Sequence, residues 1–269
     1  MTTDIDWEDA FSNGDYIENA ADFPPMWSEQ AAEFRASVRA RLDLPYGKAP
    51  REKLDLFLPS EAPKGLIVFV HGGYWQAFDK SSWSHLARGP IEHGWAVAMP
   101  SYTLAPEAKI PEITAQMGRA VSMIAEEVAG PIRLTGHSAG GHLVSRMGCE
   151  TTPLPDNIAN RIDKIVSISG VHDLRPLMRH SMNEKLDLTE EVAREESPSL
   201  KPPRKGFDFT AWVGARERPE FLRQSALITE NWGRAGVPAR LVADPGKHHF
   251  DVIDGLADAD HSLCLELTS

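Results

Sequence analysis

The chain has 269 residues, 42% hydrophobic and 25% charged, and carries a formal net charge of −11. That acidity disfavours nucleic acid and anionic membrane surfaces as partners, because their phosphates are bound by Lys and Arg, and no apolar run approaches the roughly 20 residues needed to cross a bilayer. Only two cysteines occur, Cys149 and Cys264, without disulfide or metal-type spacing, so both read as small apolar residues.

One domain over residues 1–269 is expected, with 1–45 forming an N-terminal arm and helix. The acidic opening MTTDIDWEDAFSNGD has neither the basic start nor the apolar stretch of a secretory signal, so a cytoplasmic location is expected. Residues 1–26 show no periodicity and end soon after Phe23-Pro24-Pro25, which reads as an extended arm. From Trp27 the set Trp27, Ala31, Phe34, Val38 and Leu42 falls at helical spacing. Leu54–Leu58 alternates like a half-buried strand, and Gly65–Val70 is a continuous apolar run rich in β-branched residues, as in a strand covered on both faces.

That second strand runs into His71-Gly72-Gly73-Tyr74-Trp75, where paired glycines let backbone N–H groups approach a ligand. Trp95–Met99 is a further strand, and Ser101–Glu107 is a structured loop placed to buttress the glycine loop. Pro111–Val128 is a crossover helix with Ile113, Met117, Ala120, Val121, Ile124 and Val128 on one face. Ile132 and Leu134 then lead into Gly136-His137-Ser138-Ala139-Gly140, a G-x-S-x-G nucleophile elbow that puts Ser138 on a strand-to-helix turn.

Downstream, Ile162–Ser169 is a strand, and residues 171–206, with mixed charge and four prolines, read as a small helical lid insertion. Phe207–Val213 is another strand, followed by Gly214–Arg218 and a helix start at Pro219-Glu220-Phe221. Val237–Ala243 is the last strand, and His248-His249-Phe250 opens an expected final helix carrying Val252, Ile253 and Leu256. The strand-then-helix order defines the fold class as α/β: a mostly parallel, doubly wound sheet with helices on both faces.

Serine, acid and histidine then occur in the order Ser138, Glu217, His249, each just past a strand end, which is the order of the α/β-hydrolase fold. Glu217 stands on the post-strand loop, whereas its rival Glu220 suits a first helical turn and Asp244 lies on another loop. His249 directly precedes the apolar segment and is preferred to His248 as the base; His71 and His142 read as structural. In this arrangement His249 takes the Ser138 proton, Glu217 fixes the imidazole, and the N–H groups of Gly73, Tyr74 and Ala139 receive the oxyanion. Tyr74 and Trp75 are expected to cover substrate, with His137 lining the site.

The segments HGGYW at His71, YTLAPE at Tyr102, GHSAGGHL at Gly136, PEF at Pro219 and HF at His249 resemble the α/β-hydrolase arylformamidases, or kynurenine formamidases, relatives of the hormone-sensitive-lipase-like esterases. Tyr74 stands where those esterases usually carry a third glycine. The resemblance implies hydrolysis of N-formyl-L-kynurenine to kynurenine and formate through a formyl-enzyme on Ser138, in tryptophan degradation, with no cofactor and no metal. One departure is Glu217, where the best-known members carry aspartate; triads of this fold use either acid. A carboxylesterase for short acyl esters is the alternative, and a catalytically silent binding protein of the same fold is a third. The expected partner is a small-molecule substrate, with no nucleic acid and no membrane; a homodimer is compatible with this reading.

Overall fold

The computed structural model describes residues 5–269. Eight strands, β1 (Ala40–Pro45), β2 (Lys53–Phe57), β3 (Leu66–Val70), β4 (Ala96–Pro100), β5 (Ile132–His137), β6 (Ile162–Ile168), β7 (Asp208–Gly214) and β8 (Ala239–Asp244), form one sheet. Their order is β1-β2-β4-β3-β5-β6-β7-β8. β1 and β2 are antiparallel to their neighbours, and β4 through β8 run parallel.

Strand side chains alternate between two cores, as a period of two requires. Leu66, Val68 and Val70 join a cluster with Ile113, Met117, Leu143, Phe221 and Trp232. Ile67 and Phe69 join Trp27, Phe34, Trp83, Leu263 and Leu267 on the other face. The helices Ile110–Glu127, Ala139–Met147 and Pro219–Arg234 therefore cover one face, and Phe23–Ser37 and Ser262–Thr268 the other. Among the described residues no helix is long and apolar enough to cross a membrane.

The N-terminal reading needs correction. Residues after Asp6 are not an extended arm: Asp6 caps a short helix, Trp7–Ala10, by accepting from the Asp9 N–H at 3.2 Å. Two 3₁₀ turns follow, and the long helix begins at Phe23, with Pro24 and Pro25 in its first turn, where their missing N–H groups cost nothing. Its buried face is Trp27, Ala31 and Phe34. The helix ends at Ser37; Leu42 lies on β1, exposed, so the apolar spacing ran one turn too far.

The expected final helix at 248–256 is also absent. His248 Nδ1 accepts from the N–H groups of Phe250 and Asp251 at 3.2 and 3.3 Å, and Asp251 accepts from the His248 N–H at 2.7 Å. These bonds cap a helix start, and one α-type bond forms, from the Val252 N–H to the His248 carbonyl at 3.1 Å, but the next bonds, Asp254 to Asp251 and Leu256 to Ile253, close three residues back, so the helix does not continue. Turns follow, and the last helix is Ser262–Thr268. Segment 171–206 is helical, as expected: short turns span Arg175–Arg179, Asn183–Leu186, Glu190–Glu195 and Pro198–Leu200. It is fastened to the elbow helix through Glu196, whose carboxylate accepts from Arg146 Nε at 3.1 Å and Thr114 Oγ1 at 2.7 Å.

Candidate active site

Four loops leaving the C-terminal ends of β3, β5, β7 and β8 carry His71–Trp75, Ser138, Glu217 and His249. On a parallel sheet these ends share one edge, which brings together residues more than 100 positions apart. Ser138 sits between β5 and its helix with φ 56° and ψ −116°, a conformation outside the ordinary wells, and its N–H is held by the Ile168 carbonyl at 2.8 Å. The turn depends on Gly140, where an added Cβ would lie 1.9 Å from the Val70 carbonyl oxygen. No side chain fits where helix and strand approach so closely.

His249 and Glu217 are both buried and paired, Nδ1 to Oε2 at 2.6 Å. The other carboxylate oxygen accepts from the Gly214 N–H at 2.8 Å and from the Ser169 hydroxyl. Three donors on two oxygens suit an ionised acid and fix its orientation. With its Nδ1 proton given to Glu217, His249 keeps Nε2 as the free ring nitrogen. Phe221 packs against the His249 ring with centroids 4.5 Å apart.

The rival residues are engaged elsewhere. Glu220 pairs with Arg223 at 2.7 Å and accepts from Gln224 at 2.8 Å. Asp244 accepts from the Trp212 indole at 3.1 Å. His248 is tied to Asp251 and lies edge-on to Phe23.

His137, beside the serine, donates from Nε2 to the His249 carbonyl at 2.8 Å. Burial, with the nearby His249, holds its pKa well below the usual histidine range, so it serves as a neutral donor. His71 stacks on Tyr102, centroids 4.3 Å apart, and burial lowers it to about 4. The loop at 101–107 does buttress the glycine loop: the Tyr102 hydroxyl donates to the His71 carbonyl at 3.0 Å, and the Ala105 N–H to the Trp75 carbonyl at 2.8 Å.

Ser138 and His249 open on a cavity of about 230 Å³, with Gly72, Gly73, Tyr74 and His137 on one side and Trp27, Phe78, Trp83 and Phe250 on another. Gly73 adopts φ 105°, which glycine tolerates at low cost, and the backbone N–H groups of Gly73, Tyr74 and Ala139 have no acceptor among the described residues. Trp75, expected to cover substrate, does not reach the cavity. It is fully buried, edge-on to His142 at 5.1 Å.

Segment 171–206 does not line the cavity either. Its cover is the N-terminal segment, which supplies Asn13, Gly14, Pro24 and Trp27. The Tyr74 hydroxyl donates to the Phe11 carbonyl at 2.7 Å and accepts from Asn13 Nδ2 at 3.2 Å; Arg218 pairs with Asp9 and lies 3.6 Å over the Tyr16 ring. Spacing did mark Trp27, as a core residue. Asn13, Phe78 and Ser169 carried no signal, since nothing in a sequence says which loop covers a distant strand end.

An elbow serine on a mostly parallel sheet, followed in the chain by an acid and a histidine hydrogen-bonded to each other, defines the α/β-hydrolases, and the chain is a serine hydrolase of that class. The family model BD-FAE matches residues 54–201. The chain is 31% identical to a kynurenine formamidase of Danio rerio, over 96% of this chain and 89% of that one, and 30% identical to that of Salmo salar, over 96% and 90%. It belongs to the kynurenine formamidase family and carries the BD-FAE domain. A solved structure from a Silicibacter species, provisionally assigned as a thioesterase, superposes with a TM-score of 0.95 at 51% identity, covering 99% of this chain and 100% of that one. A thermostable carboxylesterase from a metagenomic library shares the fold, with a TM-score of 0.71 at 18% identity over 92% and 97% of the two chains.

Proposed function

We propose that the chain hydrolyses N-aryl formamides, with N-formyl-L-kynurenine as the substrate its family suggests, and that Ser138, His249 and Glu217 are its nucleophile, base and acid. The observation that carries this reading is the His249–Glu217 pair at 2.6 Å, with His249 and the elbow serine Ser138 lining the same cavity. His249 Nε2 takes the Ser138 proton as Oγ attacks the formyl carbon, and Glu217 stabilises the imidazolium. The oxyanion is received by the unpaired N–H groups of Gly73, Tyr74 and Ala139. His249 then protonates the arylamine, which leaves, and water attacks the formyl ester by the same base to release formate.

The small cavity suits a formyl group, and its aromatic wall suits an aryl ring: Trp27 and Trp83 lie 4.7 Å apart, with Phe78 and Phe250 within 6.1 Å of Trp27. Ester hydrolysis is the second reading, favoured by the provisional thioesterase assignment of the 51% identical structure and by the shared triad chemistry. Tryptophan degradation in the cytoplasm is part of the first reading. Two buried, unpaired thiols, Cys149 and Cys264, raised by burial to about 11 and about 12, fit a reducing compartment. The test compares kcat/KM for N-formyl-L-kynurenine, a short-chain aryl ester and an acyl thioester. Ester or thioester turnover without deformylation sinks the formamidase reading.

A further inference from the structure

Most of the cavity's exposed wall is apolar, and among its polar residues Asn13 holds an unanswered demand. Asn13 is 6% exposed and lines the cavity. Its Nδ2 is committed to the Tyr74 hydroxyl at 3.2 Å, while Oδ1 is buried with no donor among the described residues. Flipping the amide does not answer it, because the Tyr74 hydroxyl proton is already given to the Phe11 carbonyl at 2.7 Å. On the same wall the indole N–H groups of Trp27 and Trp83 lack acceptors. Buried polar groups left unpaired are costly, and a ligand that pairs them is favoured over one that cannot. These groups together call for a ligand with both a donor and an acceptor. An amide has both; an ester has no donor.

Resting on the formamidase reading above, we propose that Asn13 is the residue by which this site tells an N-aryl formamide from the matching aryl formate, its Oδ1 accepting the N–H of the scissile amide. The chemistry gives that bond a second use. When Ser138 Oγ has added to the formyl carbon, the nitrogen becomes tetrahedral with one lone pair, and that lone pair must face the His249 Nε2–H to be protonated. Holding the N–H on Asn13 turns the lone pair towards His249; the C–N bond then breaks, the imidazolium proton ends on the departing arylamine, and the formyl group stays on Ser138. An ester oxygen has two lone pairs and needs no such orientation. Asn13 is therefore a specificity-determining residue on the N-terminal cover.

The test uses formanilide and phenyl formate, which differ only by N–H against O, with wild type, Asn13→Leu and Asn13→Asp. The amide-to-ester ratio of kcat/KM should fall by about ten- to a hundredfold in Asn13→Leu, the loss expected for one buried hydrogen bond. It should stay near the wild-type ratio in Asn13→Asp, which keeps an acceptor. Equal losses on both substrates would mean that Asn13 only holds the cover in place and would overturn the proposal, as would an Asp variant that behaves like Leu. Wild-type amide turnover with an unchanged ratio in Asn13→Leu overturns this inference alone. Ester turnover with no amide turnover in wild type overturns the formamidase reading and the role of Asn13 with it.

Discussion

Replacing Glu217 by Gln puts the acid to a specific test. The native carboxylate is acceptor only, taking His249 Nδ1–H on one oxygen and the Gly214 N–H and Ser169 hydroxyl on the other. A glutamine has one oxygen and one NH₂. Turned one way, the NH₂ meets the Gly214 N–H in a fully buried site, donor against donor. Turned the other way, it meets His249 Nδ1 and drives the imidazole proton to Nε2, the nitrogen that must accept from Ser138. Either choice disarms the base, and the comparable change in other triads costs about 10⁴ in kcat. Glu217→Gln should therefore lose about 10³–10⁴ in kcat with KM little changed. Glu217→Asp shortens the side chain by one C–C bond, about 1.5 Å. It then cannot span Gly214 and His249 together, and a smaller loss, about tenfold to a hundredfold, is expected. Glu220→Gln disturbs a pair with Arg223 and a bond accepted from Gln224, both away from the cavity, and should cost about 1–3 kcal/mol of stability with kcat little changed. Steady-state kinetics beside denaturant melts read all three. A Glu217→Gln loss of less than about tenfold, or a larger kinetic loss in Glu220→Gln, would refute the assignment.

Trp75→Phe should lower stability by about 1–3 kcal/mol, read from the urea midpoint, and leave KM unchanged, because the indole is core and not cavity wall; a raised KM at unchanged stability would return Trp75 to the site. Stability should also depend steeply on mild acid. His71, His142 and His172 are fully buried and held down by desolvation to about 4, about 4 and about 3. Unfolded, each takes a proton near its ordinary value of about 6.5. The unfolded chain therefore binds more protons below that pH, and stability is fully present above it. It should fall by up to about 1.4 kcal/mol per pH unit per histidine as pH drops from 6.5 towards 4. Urea melts across that range give the slope; a flat profile would mean that these imidazoles are already charged in the fold.

The parallel part of the sheet was legible because its strands are buried on both faces and so read as unbroken apolar runs, Leu66–Val70 above all. The chain order of Ser138, Glu217 and His249 was legible because each follows a strand end directly. β1 was not, because its pattern is mostly exposed and alternates weakly. The turns after His248 were hidden because apolar spacing and a helix-type cap both suggest a helix there, while the backbone bonds beyond the first turn close three residues back. Trp75 and Tyr74 are adjacent with similar chemistry, yet only Tyr74 lines the cavity and Trp75 is buried in the core. The cover is the largest departure. Its hold on the glycine loop runs through single bonds between residues about 60 positions apart, such as Asn13 to Tyr74, and no local pattern announces such bonds.

Release of kynurenine from N-formyl-L-kynurenine by purified wild-type protein and by Ser138→Ala, at equal protein concentration and with folding checked by circular dichroism, bears most directly on the assignment of Ser138. The expected result is saturable turnover by wild type and a loss of at least about 10³-fold in the alanine variant. No turnover by wild type, or activity that survives the loss of the Ser138 hydroxyl, would contradict it.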